Sequence, residues 1–160
     1  MAFLGKNLQM ETIPEPPKGP LGRPELLALR CRVTADYDCK VALIPAIDAD
    51  VRNEDSNYDE TFWLFEGEDE DKNGVLTVRT RTRENPFGTP RFAVCGAMAA
   101  VPTEKPKKNR VTVEEGYVSR KFVFDVEAGQ TVGCDKFVCV ATDRDHKDDE
   151  LTGAATAGVL

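Results

Sequence analysis

The sequence lacks an excess of basic charge. Its 160 residues contain 21 lysines and arginines against 28 aspartates and glutamates, which gives a formal net charge of −7 and an isoelectric point near 4.8. Proteins that bind nucleic acid neutralise its phosphates with a basic surface, and that surface supplies much of their affinity. The composition therefore predicts that nucleic acid is not a partner.

Long hydrophobic runs are also missing. The longest nearly apolar stretch, Phe92–Val101, has about ten residues, whereas a membrane-spanning helix needs roughly 20. The first 20 residues contain no continuous apolar segment of the kind found in a secretory signal. We therefore expect no membrane segment and a cytoplasmic location.

Histidine and paired cysteines are scarce. The one histidine, His146, lies in a charged stretch, which argues against Cys-His or Ser-His-Asp catalysis. The five cysteines are an odd number and include no C-x-x-C pair, since the nearest two, Cys134 and Cys139, are separated by four residues. We predict buried thiols, no metal ligands and no cofactor.

Composition divides the chain into three parts. Residues 1–24 carry five of the ten prolines and are predicted to be extended or disordered, because proline removes backbone donors and blocks helices and central strands. Residues 25–146 carry short period-two apolar segments and are predicted to form a β-sandwich domain. Residues 147–160 are predicted to begin a linker and contain the one stretch compatible with a helix, which Gly153 and Gly158 weaken.

Seven segments have the pattern of β-strands, with no long amphipathic helix between them. They are Leu26–Thr34, Lys40–Asp48, Val75–Thr82, Phe92–Val101, Arg110–Glu114, Tyr117–Val126 and Thr131–Thr142. The first two flank the turn-like Ala35–Asp38 and are predicted to pair with each other. The alternation in Val75–Thr82 predicts one solvent-exposed face. With only about seven strands, the sheet would present long edges such as Val75–Thr82 unless another element covers them. The fold class is therefore predicted as an all-β antiparallel sandwich.

Two acidic motifs suggest metal binding, and each has a simpler explanation. Asp69–Gly74 matches the first half of an EF-hand calcium loop, but the twelfth position is Thr80 instead of a bidentate glutamate, so a hairpin turn is favoured over a calcium-stabilised module. Asp143–Glu150 surrounds His146 with carboxylates that could bind a cation or transfer protons. Its alternating charges favour a solvated connector.

Aromatic residues next to a polar loop offer a further hypothesis. Tyr58, Phe62, Trp63 and Phe65 lie close together in sequence, and sugar sites often place an aromatic face against a pyranose ring. Trp63, Tyr58 and Asn57 could thus bind an oligosaccharide. The alternative is that Trp63 belongs to the core, as large aromatic side chains usually do.

A longer, ordered set of motifs resembles glycoside hydrolase family 65. Leu27–Arg30 matches the family's "ALR" strand, and Ile44–Trp63 matches "P-x-I/L-D-x-x-V-x-N-E-D-x-N" followed by "F-W". Glu127–Val132 matches the turn "A-G-E/Q-x-V", and Asp135–Asp145 matches "x-K-x-V" and "T-x-R-D". The matches together span roughly Leu26 to Leu160, and their combination is far more specific than any single motif.

The resemblance implies a part of a larger enzyme. Members of the family, which include phosphorylases of maltose, trehalose and kojibiose, have a β super-sandwich, a helical linker, an (α/α)₆ barrel and a small β domain, and the barrel carries the catalytic groups. This sequence resembles only the second half of the super-sandwich. It implies a non-catalytic fragment whose partners are the barrel and, in some relatives, a second copy in a homodimer. The alternative is a stand-alone carbohydrate-binding module.

Overall fold

The structure is a computed structural model that describes residues 8–12, 25–50 and 61–160, the first of these by their backbone. It contains ten strands, a 3₁₀ turn and one α-helix. The strands are β1 (Leu8–Thr12), β2 (Leu26–Thr34), β3 (Cys39–Leu43), β4 (Ala46–Asp48), β5 (Trp63–Glu70), β6 (Leu76–Thr82), β7 (Ala93–Pro102), β8 (Lys108–Glu114), β9 (Tyr117–Val126) and β10 (Thr131–Thr142). The 3₁₀ turn at Asp148–Glu150 leads into helix α1 (Leu151–Val159).

Six strands form a large antiparallel sheet in the order β1-β2-β10-β7-β6-β5. Strand β6 lies between β7 and β5, so β5 covers the edge that Val75–Thr82 would otherwise present. The outermost strands are β1 and β5. β1 lies within residues 1–24 and pairs with β2 at the edge of this sheet.

The other four strands form a small sheet around β9. Strand β8 pairs with one side of β9, and β3 and β4 pair one after the other with its opposite side. The predicted strand Lys40–Asp48 is therefore two strands. The break falls at Pro45, whose carbonyl oxygen accepts a hydrogen bond from the Arg120 backbone N–H at 3.0 Å. Proline has no N–H to give to a ladder, which explains the interruption.

The predicted pairing of Leu26–Thr34 with Lys40–Asp48 is also wrong, because β2 belongs to the large sheet and β3 and β4 to the small one. The chain crosses between sheets at Ala35, beside the turn where it crosses back from β9 to β10. The Gly129 N–H donates to the Ala35 carbonyl at 2.7 Å, and the Ala35 N–H donates to the Gln130 carbonyl at 3.1 Å. The two crossings between the sheets therefore lie side by side at one corner of the sandwich.

Large side chains fill the space between the two sheets. One cluster is built around Phe122, Phe124 and Val132, and a second around Leu76 and Met98. Facing strands bring alternate residues into this layer, as a two-sheet sandwich requires. The predicted all-β antiparallel sandwich is confirmed.

The opposite face of the large sheet is covered by α1. Leu151 and Ala155 of the helix are buried against small side chains of β7 and β10. The helix forms in spite of the two glycines noted in the sequence. Gly158 lies so close to Cys139 that a Cβ at position 158 would come within 2.4 Å of the Cys139 Sγ atom. Among the described residues, no helix has the length and apolar character to cross a membrane.

The cysteines follow the prediction of buried thiols in part. Cys95, Cys134 and Cys139 are buried, whereas Cys31 and Cys39 are partly accessible. All five lie in described residues, and none of them forms a disulfide there. Burial raises the pKa of Cys134 to about 11, which keeps this thiol protonated near neutral pH and unreactive as a nucleophile.

Candidate functional site

Strand β5 is an acidic strand that the sequence analysis did not identify as a strand. It pairs with β6 from Trp63 to Glu70, and its register shifts between Phe65 and Gly67. A bulge of this kind redirects the side chains around it. Its three glutamates, Glu66, Glu68 and Glu70, consequently contact three different parts of the molecule.

Glu66 faces the helix-covered side of the large sheet and joins a four-residue cluster, the charged clasp, formed by Glu66, Arg79, Arg81 and Asp148. Arg79 and Arg81 lie two residues apart on β6 and therefore point to the same face. The Arg79 Nε atom lies 2.8 Å from Glu66 Oε2, and its Nη2 atom lies 2.9 Å from Asp148 Oδ1. Arg81 forms ion pairs with the same two carboxylates.

The clasp holds the start of α1 on the sheet. Asp148 opens the 3₁₀ turn that leads into the helix, and the Arg79 Nη1 atom donates to the Asp148 backbone carbonyl at 2.8 Å. The side chains of Arg79 and Arg81 are only 17% and 18% exposed. The predicted solvent-exposed face of Val75–Thr82 is thus largely covered, and its arginines bind a neighbouring element.

The electrostatics of the clasp suit attachment. Hydrogen bonds from Arg81, and then from Arg79, lower the pKa of Glu66. A hydrogen bond from Arg81 likewise lowers the pKa of Asp148, and the Glu66 hydrogen bond raises the pKa of Arg79. A general acid in glycoside chemistry needs a raised carboxyl pKa. These carboxylates are shifted the opposite way, so they hold elements together and are unsuited to donating a proton.

The other two glutamates of β5 connect it to the small sheet. The Glu68 Oε1 atom accepts a hydrogen bond from the Gly116 N–H at 2.7 Å, in the turn between β8 and β9. Glu70 Oε1 lies 2.6 Å from Arg120 Nη2, and the same nitrogen donates to the Gly74 carbonyl at 3.0 Å. One strand therefore fastens both the small sheet and the helix to the large sheet.

Lys136 is a second connection between the sheets. Its Nζ atom donates to the Ala46 carbonyl oxygen in β4 at 2.5 Å, from the side of β10 that faces the small sheet. Burial lowers the pKa of Lys136, because the interior disfavours the charged amine. This lysine belongs to the "x-K-x-V" motif identified in the sequence, and the structure gives it a structural contact.

Asp71–Gly74 forms the predicted hairpin turn between β5 and β6, and Asp69 and Glu70 are the last residues of β5. The Asp71 Oδ1 atom accepts from the Asn73 N–H at 2.9 Å and from the Val75 N–H at 2.8 Å. Gly74 has φ 77°, in the left-handed region that favours glycine. Thr80, the twelfth position of the calcium pattern, lies in β6 and pairs with Phe65.

The hypothetical sugar site is described only in part. Trp63 is partly buried at the start of β5, opposite Thr82. Trp63 lies on the same face of β5 as Phe65. The Phe65 ring packs so closely on Gly116 that a Cβ at position 116 would come within 2.6 Å of the ring. Tyr58 and Asn57 lie outside the described residues, so their relation to Trp63 stays a prediction.

Asp143–Glu150 is a largely exposed connector from β10 to α1, as predicted, and several of its carboxylates accept hydrogen bonds or form ion pairs. The Asp143 Oδ2 atom accepts from the Ala93 N–H at 2.9 Å, and Asp148 belongs to the clasp. Within residues 8–12, 25–50 and 61–160, no group of three or more histidine, cysteine or acidic side chains is arranged to hold a metal ion.

Comparison with known proteins agrees with the resemblance seen in the sequence. Residues 20–159 match the family described as glycosyl hydrolase family 65, N-terminal domain. The chain is 40% identical over 119 residues to maltose phosphorylase of Bacillus subtilis (strain 168). These 119 residues are 74% of this chain and 15% of that protein. Its fold is similar to that of a protein from the human microbiome named as a kojibiose phosphorylase, with a TM-score of 0.65 and 14% identity over 82% of this chain and 16% of the other.

Proposed function

The chain belongs to the N-terminal domain family of glycosyl hydrolase family 65, and from this premise we propose that it is a non-catalytic part of an α-glucoside phosphorylase or hydrolase. The chain spans 15% of the maltose phosphorylase that it matches, so the activity of the whole enzyme is part of the proposal. The observation that carries it is the charged clasp. Its carboxylates, whose pKa values the arginines lower, attach the start of α1 to the large sheet and are unsuited to proton donation.

The support acts on a catalytic domain that follows in the same enzyme. In this proposal residues 25–146, together with β1, form the supporting sandwich, and residues 147–160 begin the connection to an (α/α)₆ barrel. Because Asp148 and Leu151 fix the start of α1 on the sheet, the direction in which the chain leaves the sandwich is set. A fixed exit direction limits the relative motion that is otherwise expected between neighbouring domains.

In such an enzyme the barrel supplies the chemistry. A general acid protonates the glycosidic oxygen while phosphate, or water in a hydrolase, attacks the anomeric carbon with inversion. The residues of this chain contribute packing and take no part in the proton transfer. A cytoplasmic location fits five cysteines that form no disulfide in the described residues.

A segment exchange tests this proposal. Residues 20–159 replace the matching segment of the Bacillus subtilis maltose phosphorylase, and phosphorolysis of maltose is measured together with the melting temperature. We expect a folded, active chimaera. We also expect the melting temperature of the chimaera to fall when Arg81→Gln is added. A well-folded chimaera without activity would contradict the supporting role. Release of glucose phosphate from maltose, trehalose or kojibiose by the present chain alone would contradict its non-catalytic nature.

The second candidate, an oligosaccharide site at Trp63, Tyr58 and Asn57, is tested separately. Trp63 is the one tryptophan of the chain, so its fluorescence reports on that position alone. Titration with maltose-series oligosaccharides leaves the emission unchanged if the chain only supports a neighbouring domain. A saturable change that Tyr58→Ala removes would favour the binding module.

A further inference from the structure

Cys31 and Cys134 face each other across two neighbouring strands. Cys31 of β2 is the register partner of Cys134 of β10 in their antiparallel ladder. Directly opposite residues of such a pair point to the same face of the sheet. For these two thiols it is the inner face, because both side chains belong to the cluster around Phe122 and Phe124. The two thiols are therefore neighbours in the layer between the sheets.

The spacing of the two strands at this pair suits a disulfide. In the same ladder the Ala35 N–H donates to the Gln130 carbonyl at 3.1 Å, four residues along each strand from Cys31 and Cys134. Because hydrogen-bonded pairs recur at every second residue, the cysteine pair is also hydrogen-bonded, and its Cα atoms are about 5.5 Å apart. Disulfides join Cα atoms that are about 4.4–6.8 Å apart.

The backbones of β2 and β10 also come close together beside this pair. A Cβ at Gly133 would lie 2.2 Å from the Cys31 carbonyl oxygen, a distance that only a residue without a Cβ permits. The strands are thus held near each other at the point where the two thiols meet.

The other three cysteines are placed differently. Cys39 packs on the same cluster, but it lies in the small sheet, where its register partner is Val126. Cys95 and Cys139 lie on the opposite face of the large sheet, beneath α1. Register and sheet face together select Cys31 and Cys134 from the five cysteines.

The two thiols differ in accessibility. Cys31 is partly accessible, whereas Cys134 is buried. Burial, and then the neighbouring Cys31, raise the pKa of Cys134 to about 11, and burial also raises the pKa of Cys31. Few of these thiols are ionised near neutral pH, so the pair reacts slowly and only a lasting excess of oxidant converts it.

We propose that Cys31 and Cys134 form a reversible cross-strand disulfide when the protein meets an oxidising small disulfide such as oxidised glutathione. The Cys31 thiolate attacks one sulfur of oxidised glutathione, whose S–S bond breaks and releases one glutathione thiolate. The Cys134 thiolate then attacks the Cys31 sulfur and releases the second. The released thiolates take up the two cysteine protons, so two cysteines are oxidised and one oxidised glutathione is reduced to two thiols.

The bond makes the stability of the sandwich sensitive to redox conditions. It fastens β2 to β10 and closes a loop of about 100 residues, which restricts the unfolded chain. A hydrogen-bonded pair has to draw its Cβ atoms together to close the bond, which makes the disulfide easier to reduce. Disulfides in the cytoplasm are usually transient and redox-sensing, as this one would be. The switch does not depend on the proposed enzymatic role.

Intact mass and peptide mapping test the bond. The folded full chain is incubated with oxidised glutathione, quenched with acid and weighed. We expect a single chain that is about 2 Da lighter, with Cys31 and Cys134 in one cross-linked peptide after digestion without reductant. Cys134→Ser should instead retain one glutathione on Cys31, because the mixed disulfide then has no thiol opposite it.

Cys39→Ser is the matched control, because Cys39 packs on the same cluster without being a register partner of either thiol. It should give the same cross-link as the full chain, and circular dichroism establishes that each variant is folded. A cross-link that persists in Cys134→Ser or disappears in folded Cys39→Ser would overturn the proposal. A full chain that keeps all its thiols, or that only takes up glutathione, would overturn it as well.

Thermal unfolding tests the consequence for stability. The oxidised full chain should melt at least about 3 °C above the reduced chain, because the closed loop restricts the unfolded state. Dithiothreitol should restore the original melting temperature. Cys134→Ser should show no rise after the same treatment. An unchanged or lower melting temperature in the cross-linked chain would contradict the switch.

Discussion

The two faces of the large sheet are covered in different ways. On the inner face, large side chains such as Phe122, Leu76 and Met98 fill the layer between the sheets. On the outer face, Ala93, Cys95 and other small residues lie beneath α1. The inner layer depends on buried apolar area, while the outer layer combines a close helix approach with the charged clasp.

The difference teaches how stability is distributed. Each large buried side chain contributes about 1.5–3 kcal/mol through its removal from water, whereas alanine and cysteine bury little area. The outer layer therefore relies on tight fit at Gly158 and on the ion pairs of Glu66. We expect α1 to open locally before the sandwich unfolds, as weakly buried elements do.

The largest effect is expected in the inner layer. Phe122 is 1% exposed, and Phe122→Ala should lower the free energy of unfolding by about 3–5 kcal/mol, because it leaves a cavity between the sheets. Urea denaturation measures the change. Phe87, which is 89% exposed, is the control, and Phe87→Ala should change stability by less than about 0.5 kcal/mol. Equal losses in the two variants would contradict the assignment of the core.

The second prediction compares two glycines of α1. A Cβ at Gly158 would come within 2.4 Å of Cys139 Sγ and 2.9 Å of Cys139 Cβ, whereas one at Gly153 would meet nothing within 4 Å. Gly158→Ala should therefore displace the helix and lower stability by about 1–3 kcal/mol. Gly153→Ala should raise stability by up to about 1 kcal/mol, since alanine favours helix. Thermal unfolding measures both, and a stabilising Gly158→Ala would show that α1 does not lie close to β10.

A smaller effect is expected from the clasp. Glu66→Gln removes the carboxylate shared by Arg79 and Arg81 and should cost about 1 kcal/mol or less, because the group is partly accessible to solvent. Hydrogen exchange should accelerate at the amides of α1 while β9 and β10 keep their protection. Glu84→Gln, at an exposed position, serves as control. Uniform acceleration across both layers would contradict a local role for the clasp.

The smallest effect near neutral pH concerns protonation of the same carboxylate. The arginines lower the pKa of Glu66 below its usual value of 4.5. Its contribution to stability is therefore complete above pH 4.5 and is lost as the pH falls through the lowered folded-state value. The rate of hydrogen exchange at the amides of α1, corrected for the intrinsic pH dependence of amide exchange, should be constant from pH 7 to 5 and rise below about pH 4. Glu66→Gln should weaken that rise, and an unchanged profile in the variant would exclude Glu66 as its source.

Much of the fold could be predicted from local pattern. Leu26–Thr34, Tyr117–Val126 and Thr131–Thr142 are strands with the predicted limits, because their period of two is produced by alternation between covered and uncovered faces. The turn within Asp69–Gly74 could be predicted equally well, because an aspartate side chain and a glycine in the local sequence form it.

The errors concern which strands pair and one strand whose pattern is concealed. β2 and the strands that follow it were assigned to each other, yet they lie in different sheets, and β5 was overlooked because its glutamates conceal the alternation of Trp63 and Phe65. A charged residue in a strand gives no sign of whether it meets water or an arginine. Only its neighbours in space decide that.

The amino-acid sequence by itself determined the all-β class, most strand limits and the family motifs, because these follow from spacing along the chain. The tertiary structure decided which strands are neighbours, that α1 covers the outer face, and that Glu66, Glu68 and Glu70 fasten three layers together. The physical reason is that pairing and ion contacts join residues as far apart as Arg79 and Asp148. Their energy depends on distance in space, which spacing along the chain does not encode.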